Sequence, residues 1–302
     1  MPQMRLRRSE LSTPGSNAEM MAKAARTNAD MVFLDLEDAV APSEKVPARA
    51  KVVEALRTHD WGRKIRAIRI NNLETEYCYE DLIHVVSEAG EFLDIIIVPK
   101  VKRAEDVRWV DVLLTQMEQK LKRERKIGLE VLIEEVEAMI NAEEIAASTL
   151  RLEAIIFGPG DFSGSQGVEG HAVSGSSPHY PGDVWHYARN KVVIAARAAG
   201  IDAVDGPYGD FRNSDDYRTE CRKAKTLGFV GKWAIHPSQV DVANEAFSPT
   251  ERDVDRARKM VAAYREAEAK GLGAVGVDGV MVDAATVRLW RNITDRADLI
   301  GM

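Results

Sequence analysis

The stretch EAIIFGPGD, residues 153–161, starts as an apolar run, breaks into Gly-Pro-Gly and ends on a carboxylate. A short apolar run bounded by turn residues reads as a strand buried on both faces. Seven further stretches share that shape: RSELSTPG (8–15), MVFLDLED (31–38), KIRAIRIN (64–71), DIIIVPK (94–100), IGLEVLIE (127–134), DAVDGP (202–207) and GKWAIHP (231–237). Longer amphipathic segments separate nearly all of them. Eight such strands between residues 8 and 237 predict an α/β fold, a closed (β/α)8 TIM barrel, in preference to an open doubly wound sheet. No G-x-G-x-x-G follows any of these eight strands, the one match being GLGAVG (271–276) beyond them, and no G-x-x-x-x-G-K-[ST] is present, which also counts against open-sheet dinucleotide and P-loop folds.

The clearest helix start lies at SPTE, with Ser248 as N-cap, Pro249 at the first helical position and Glu251 at the third. Val254, Ala257, Val261 and Tyr264 then share one face, and Gly271 stops the helix. Residues 1–247 are therefore expected to form the barrel core. Residues 248–302 are expected to supply the last barrel helix and a C-terminal helical appendage, a lid segment of the same catalytic unit.

Composition narrows the functional classes. The chain has 302 residues, 45% of them hydrophobic, enough for a substantial core. A net charge of -7 argues against a general nucleic-acid surface. The N-terminus runs from basic into polar residues rather than into the apolar core of a signal peptide, and no run reaches the ~20 apolar residues of a membrane span. Cys78 and Cys221 form no C-x-x-C pair, so free thiols in a reducing, cytoplasmic setting are expected.

Active sites of such barrels sit at the C-terminal ends of the strands. The polar residues closing the apolar runs are Asp35, Glu37, Asp38, Arg69, Asn71, Lys100, Glu134, Asp161, Asp205 and His236. Glu134 and Asp161, one βα unit apart, offer hard oxygen donors suited to Mg2+. The alternative is that they cap helices or pair with Arg69 and Lys100. Arg69, among apolar neighbours, offers a fixed fork for a carboxylate or a developing enolate, or neutralises the acidic ring. Glu37 and Asp38 read as support for Arg69 or for metal-bound water, and Lys100 as an electrostatic element rather than a nucleophile. His236, before a proline, reads as a contact or packing residue, and QKLKRERK (119–126) as a solvated helix end.

The segments RSELSTPGSN, FLDLEDAVAPSEK, HDWGRKIRAIRINNLET, IIIVPKV, VLIEE, EAIIFG, VDGPYGDF, GKWAIHPSQ and VDGVMVDAATV together resemble the malyl-CoA lyase branch of the HpcH/HpaI aldolase and citrate lyase β-subunit family. LEDAV marks only the wider family, whereas HDWGRK, VDGPYGDF and GKWAIHPSQ in combination are more specific. The resemblance implies Mg2+ (or Mn2+) dependence and reversible cleavage of a malyl-CoA thioester to acetyl-CoA and glyoxylate, with β-methylmalyl-CoA as a further substrate. Carried over by position, it implies Glu134 and Asp161 as metal ligands and Arg69 as the oxoacid-binding arginine. Asp283 matches the catalytic carboxylate of a C-terminal segment that closes over a neighbouring subunit's site. Ser12, Asn17, Lys23, Gly160, Ile235 and His236 match contacts to coenzyme A.

A homo-oligomer, trimer or hexamer, is implied, with acyl-CoA and 2-oxoacid partners and no nucleic acid or membrane. Two departures stand out. Asn17 occupies a position where relatives can carry a basic residue, so a phosphate contact is either missing or taken over by Arg5, Arg7 or Arg8. GPGDF replaces a G-x-A-D-[FY] form, and the loop after it, residues 163–183, reads as shortened. Citramalyl-CoA lyase, malyl-CoA thioesterase and a citrate lyase β-like assembly subunit are the alternatives.

Overall fold

The computed structural model describes residues 4–168 and 180–302, so most of the loop read as shortened lies outside the described residues. The chain divides into two compact units, Met1–Asn244 and Glu245–Met302. In the first, with the last helix running across its end, the order is β1 (Ser9–Pro14), α1 (Ala18–Ala25), β2 (Met31–Asp35), α2 (Lys45–Thr58), β3 (Ile65–Arg69), α3 (Cys78–Ala89), β4 (Ile95–Val98), α4 (Ala104–Lys120), β5 (Gly128–Ile133), α5 (Val136–Ile140), α6 (Ala142–Ala146), β6 (Leu152–Phe157), α7 (Pro159–Gln166), α8 (His186–Ala199), β7 (Asp202–Asp205), α9 (Ser214–Leu227), β8 (Gly231–Ala234) and α10 (Pro237–Phe247). The eight strands are all parallel, and β1 pairs with both β2 and β8 to close the barrel.

All eight predicted strands form, but each is shorter than its quoted stretch. Residues 153–161 show why. The ladder ends at Phe157, Gly158 caps α7, and Pro159, which has no N–H to donate, takes the first turn of that helix. Asp161 therefore projects from the first helical turn rather than from a strand end.

Alternation along each strand sends one set of side chains inward. Phe33, Ala67, Ile97, Leu132, Ile156, Val204 and Trp233 fill the barrel interior. Glu10 is also buried, and its Oε2 accepts the Trp233 indole N–H at 2.8 Å. Toward the N-terminal ends of the strands, Arg7 is fully enclosed and reaches Glu130 at 2.7 Å and Glu153 at 2.5 Å. Arg5 pairs with Glu153 and Arg8 with Asp30. These arginines are committed at the end opposite the active-site mouth, which corrects the idea that they replace a phosphate contact at Asn17.

Asp205 is a second correction. It follows inward-facing Val204, so it points outward, where Lys232 Nζ reaches it at 2.6 Å and Arg189 Nε at 3.1 Å. Burial alone would raise its pKa, yet the two cations hold it below the ordinary range. It belongs to a buried ion cluster outside the strands and not to the mouth. The helix completing the eighth unit is α10, whose Asn244 bonds to Ser9 Oγ and to the Asn28 carbonyl. The last barrel helix thus precedes residue 248.

The second unit holds α11 (Glu251–Ala269), β9 (Ala274–Val277), β10 (Val280–Asp283) and α12 (Thr286–Ile300). Its N-cap is Thr250, two residues beyond Ser248: the Thr250 hydroxyl accepts the Asp253 N–H at 3.1 Å and donates to Asp253 Oδ2 at 2.7 Å. Val254, Ala257, Val261 and Tyr264 are buried, as the helical spacing requires. The appendage is not purely helical, because β9 and β10 form an antiparallel hairpin. Its turn places Asp278 at φ 52° and Gly279 at φ 76°, the left-handed pair for which Asp-Gly is suited. Among the described residues, no helix is long and apolar enough to cross a membrane.

Candidate active site

Adjacent strands set the first element of the site. Asp35 and Arg69 are register partners on β2 and β3, and Arg69 donates through Nε to Asp35 Oδ1 at 2.7 Å and through Nη2 to Oδ2 at 2.6 Å. Nη1 lies 3.0 Å from Glu37 Oε2, and the guanidinium sits 5.5 Å from the centre of the Trp233 ring. Burial alone would lower the Arg69 pKa, but Asp35 lifts it further above its already high value. The result is a permanently charged, rigidly aimed fork.

Glu134 follows β5 and is 2% exposed. Its Oε1 accepts the main-chain N–H of Lys100 at 2.8 Å. Gly158 makes room for it, since a Cβ there would lie 2.6 Å from both Glu134 Cβ and Oε2. Burial, and then repulsion from Asp161, pushes the Glu134 carboxyl up to about 8. Burial also raises Glu37 to about 7, although Arg69 and Lys100 pull it down. Lys100 Nζ reaches Glu37 Oε1 at 2.6 Å and Asp38 Oδ1 at 3.0 Å, and lies 3.8 Å from Asp161 Oδ1. Its ammonium is held charged by Glu37 against the effect of burial.

A cavity of about 370 Å3 at the mouth is lined by Ser12, Arg69, Glu134, Gly160, Asp161 and Ile235, together with Asp38, Pro207 and Trp233. Seven residues anticipated from the sequence, Asp38 included, thus line one cavity, whereas Asn17, Lys23 and His236 are not among its lining residues. Asn17 caps α1 by accepting the Met20 N–H at 3.0 Å. Lys23 pairs with Glu19 on the same exposed helix. His236 stacks on Phe211 with ring centres 4.7 Å apart and bonds to Ser238. Asp283, in the second unit, accepts from the N–H groups of Ala285 and Thr286 and from the Thr286 hydroxyl. The Thr286 bonds hold its carboxyl below the ordinary range.

Asp35 as the main partner of Arg69, and Trp233 beneath it, were not assigned these roles from sequence. The signal for Trp233 was available: in GKWAIHP it lies two residues before Ile235 and so shares its face. Among the described residues no group of three or more Asp, Glu, His or Cys side chains could hold a metal. Two carboxylates suit a hard cation that keeps water and substrate oxygens as its other ligands. Glu134 and Asp161 fit that role, since the Asp161 charge raises the electrostatic cost of ionising Glu134 and a shared divalent ion would offset it.

A closed parallel barrel whose C-terminal mouth joins a buried guanidinium to two carboxylates defines a (β/α)8-barrel enzyme. The chain belongs to the HpcH/HpaI aldolase/citrate lyase family, whose pattern matches residues 8–237. It is 42% identical over 309 residues to an L-malyl-CoA/beta-methylmalyl-CoA lyase from Cereibacter sphaeroides, covering 99% of this chain and 97% of that protein. It is 36% identical to a (3S)-malyl-CoA thioesterase from the same species, over 97% of this chain and 95% of that one. Among solved structures it resembles CitE from Mycobacterium tuberculosis in complex with magnesium, acetoacetate and coenzyme A. The TM-score is 0.72 at 26% identity, over 96% of this chain and 97% of that one.

Proposed function

We propose that the chain is a Mg2+-dependent carbon–carbon lyase that cleaves (3S)-malyl-CoA reversibly to acetyl-CoA and glyoxylate and accepts β-methylmalyl-CoA. The observation that carries this reading is the shared cavity of Glu134, Asp161 and Arg69. Glu134 and Asp161 would hold the cation, Mg2+ or Mn2+, which when bound supplies Lewis acidity toward the hydroxyl and carboxylate of the substrate. Arg69, kept ionised and immobile by Asp35, stabilises the negative charge that develops as the carbon–carbon bond opens. Ser12, Gly160 and Ile235 line the path for the thioester, with Asn17, Lys23 and His236 as outer contacts to coenzyme A.

Asp283 moves the proton at the acetyl carbon, as acid in cleavage and base in condensation. In the single chain it is a half-buried, ionised cap, a poor proton donor. The reading therefore assigns its action to a homo-oligomer, trimer or hexamer, in which Asp283 enters a neighbour's site and loses water. A cytoplasmic location accords with two buried free cysteines. The test is incubation with malyl-CoA and Mg2+ and resolution of products. Acetyl-CoA with glyoxylate supports the lyase. Free malate with coenzyme A supports hydrolysis, a second reading favoured by the 36% identity to the thioesterase.

A further inference from the structure

Lys100 follows β4 with φ 50°. The left-handed region is costly for a residue with a Cβ, and glycine would adopt it freely. The two other non-glycine residues with positive φ among those described, Lys122 and Asp278, lie in turns. A lysine kept in a glycine conformation at a site calls for a function in both its backbone and its side chain.

Both are engaged. The main-chain N–H donates to Glu134 Oε1 at 2.8 Å. The ammonium takes Glu37 Oε1 at 2.6 Å and Asp38 Oδ1 at 3.0 Å and stands 3.8 Å from Asp161 Oδ1. One residue thus contacts four of the five acids of the mouth, and the fifth, Asp35, is held by Arg69. Glu37 and Asp38 are also the acids that approach Arg69 Nη1, at 3.0 and 3.6 Å. Without the ammonium both would turn on Arg69 alone and neutralise the charge it offers a substrate.

We propose that Lys100 is the positioning residue of this site. Its left-handed backbone aims an N–H that fixes Glu134 for the cation, and its ammonium draws Glu37 and Asp38 from Arg69 so that the guanidinium keeps its field. The role rests on the lyase reading above only for its effect on turnover. It predicts that the backbone and side-chain functions separate.

The experiment compares full-length Lys100→Gly, Lys100→Met and Lys100→Arg with the unaltered protein. Mg2+ affinity is measured by calorimetry without substrate, melting is followed in EDTA, and kinetics are measured with malyl-CoA. Gly and Met variants should keep Mg2+ affinity, because the amide remains, and the Gly variant should melt above the Met variant. Both should lose at least about tenfold in kcat with little change in KM, and arginine should restore part of it. Unchanged kcat in Lys100→Met, equal melting of the Gly and Met variants, or loss of Mg2+ binding in both would overturn the proposal. If the unaltered protein cleaves no CoA thioester, the lyase reading fails separately, and the melting order and Mg2+ affinity still decide for or against the positioning role.

Discussion

Glu134 should make the metal-free protein less stable as pH rises. Its carboxyl titrates near 8 in the folded chain, against an ordinary value of 4.5. A folded-state pKa raised above the unfolded one favours folding at low pH, and that advantage is lost as pH climbs through the folded value. Between pH 5.5 and 8, at about 1.4 kcal/mol per pH unit, the loss from this one group comes to about 3 kcal/mol. Glu134→Gln removes the titration while keeping an oxygen for the Lys100 N–H. Urea unfolding in EDTA at pH 5.5 and 8 measures both proteins. The difference between them should shift by about 3 kcal/mol in favour of the Gln variant at the higher pH. Saturating Mg2+ should close most of that gap for the unaltered protein, because a bound cation replaces the proton. Parallel pH profiles of the two proteins would refute burial and Asp161 repulsion as the controlling features of Glu134.

Asp161→Ala should abolish Mg2+-dependent turnover, a loss beyond the roughly 10–100-fold typical of an outer-shell partner; near-normal activity with unchanged Mg2+ response would remove Asp161 from the ligand set. Asp283→Asn keeps an oxygen to cap α12, so folding and coenzyme A binding should persist while hydrogen exchange at the acetyl-CoA methyl group in D2O disappears. Exchange at the unaltered rate would exclude it as the proton carrier. Mixing the inactive Asp283 and Glu134 variants should recover part of the activity if Asp283 acts between subunits, and demonstrated subunit exchange without recovery would place it in cis.

The barrel was legible because its strands are buried on both faces and therefore read as short apolar runs, several of them closed by glycine or proline, as at Pro14, Pro99, Gly158 and Gly206. Those end residues set the limits of the reading. Pro159 ends β6 but also opens α7, so the same dipeptide that announces the strand end moves Asp161 into a helix. The hairpin of the second unit was readable in principle. AVGVDGVMVD places Asp-Gly between alternating apolar residues, the pattern of two strands joined by a tight turn.

Partnership between charges was the part that sequence hid. Asp205 and Lys232 lie 27 positions apart and meet only because β7 and β8 are neighbours with outward-facing residues in register. Conversely, Asp35 and Arg69 stood as separate members of a ring of strand-end residues until strand pairing joined them in a two-pronged bond. A ring of acids read from strand ends thus resolves into groups with different electrostatic states. Asp205 is neutralised outside the strands, Asp35 is consumed by Arg69, and Glu134 is left partly protonated near neutral pH. Of these only Glu134 gains from a cation, so one is expected beside it and not at Asp35 or Asp205.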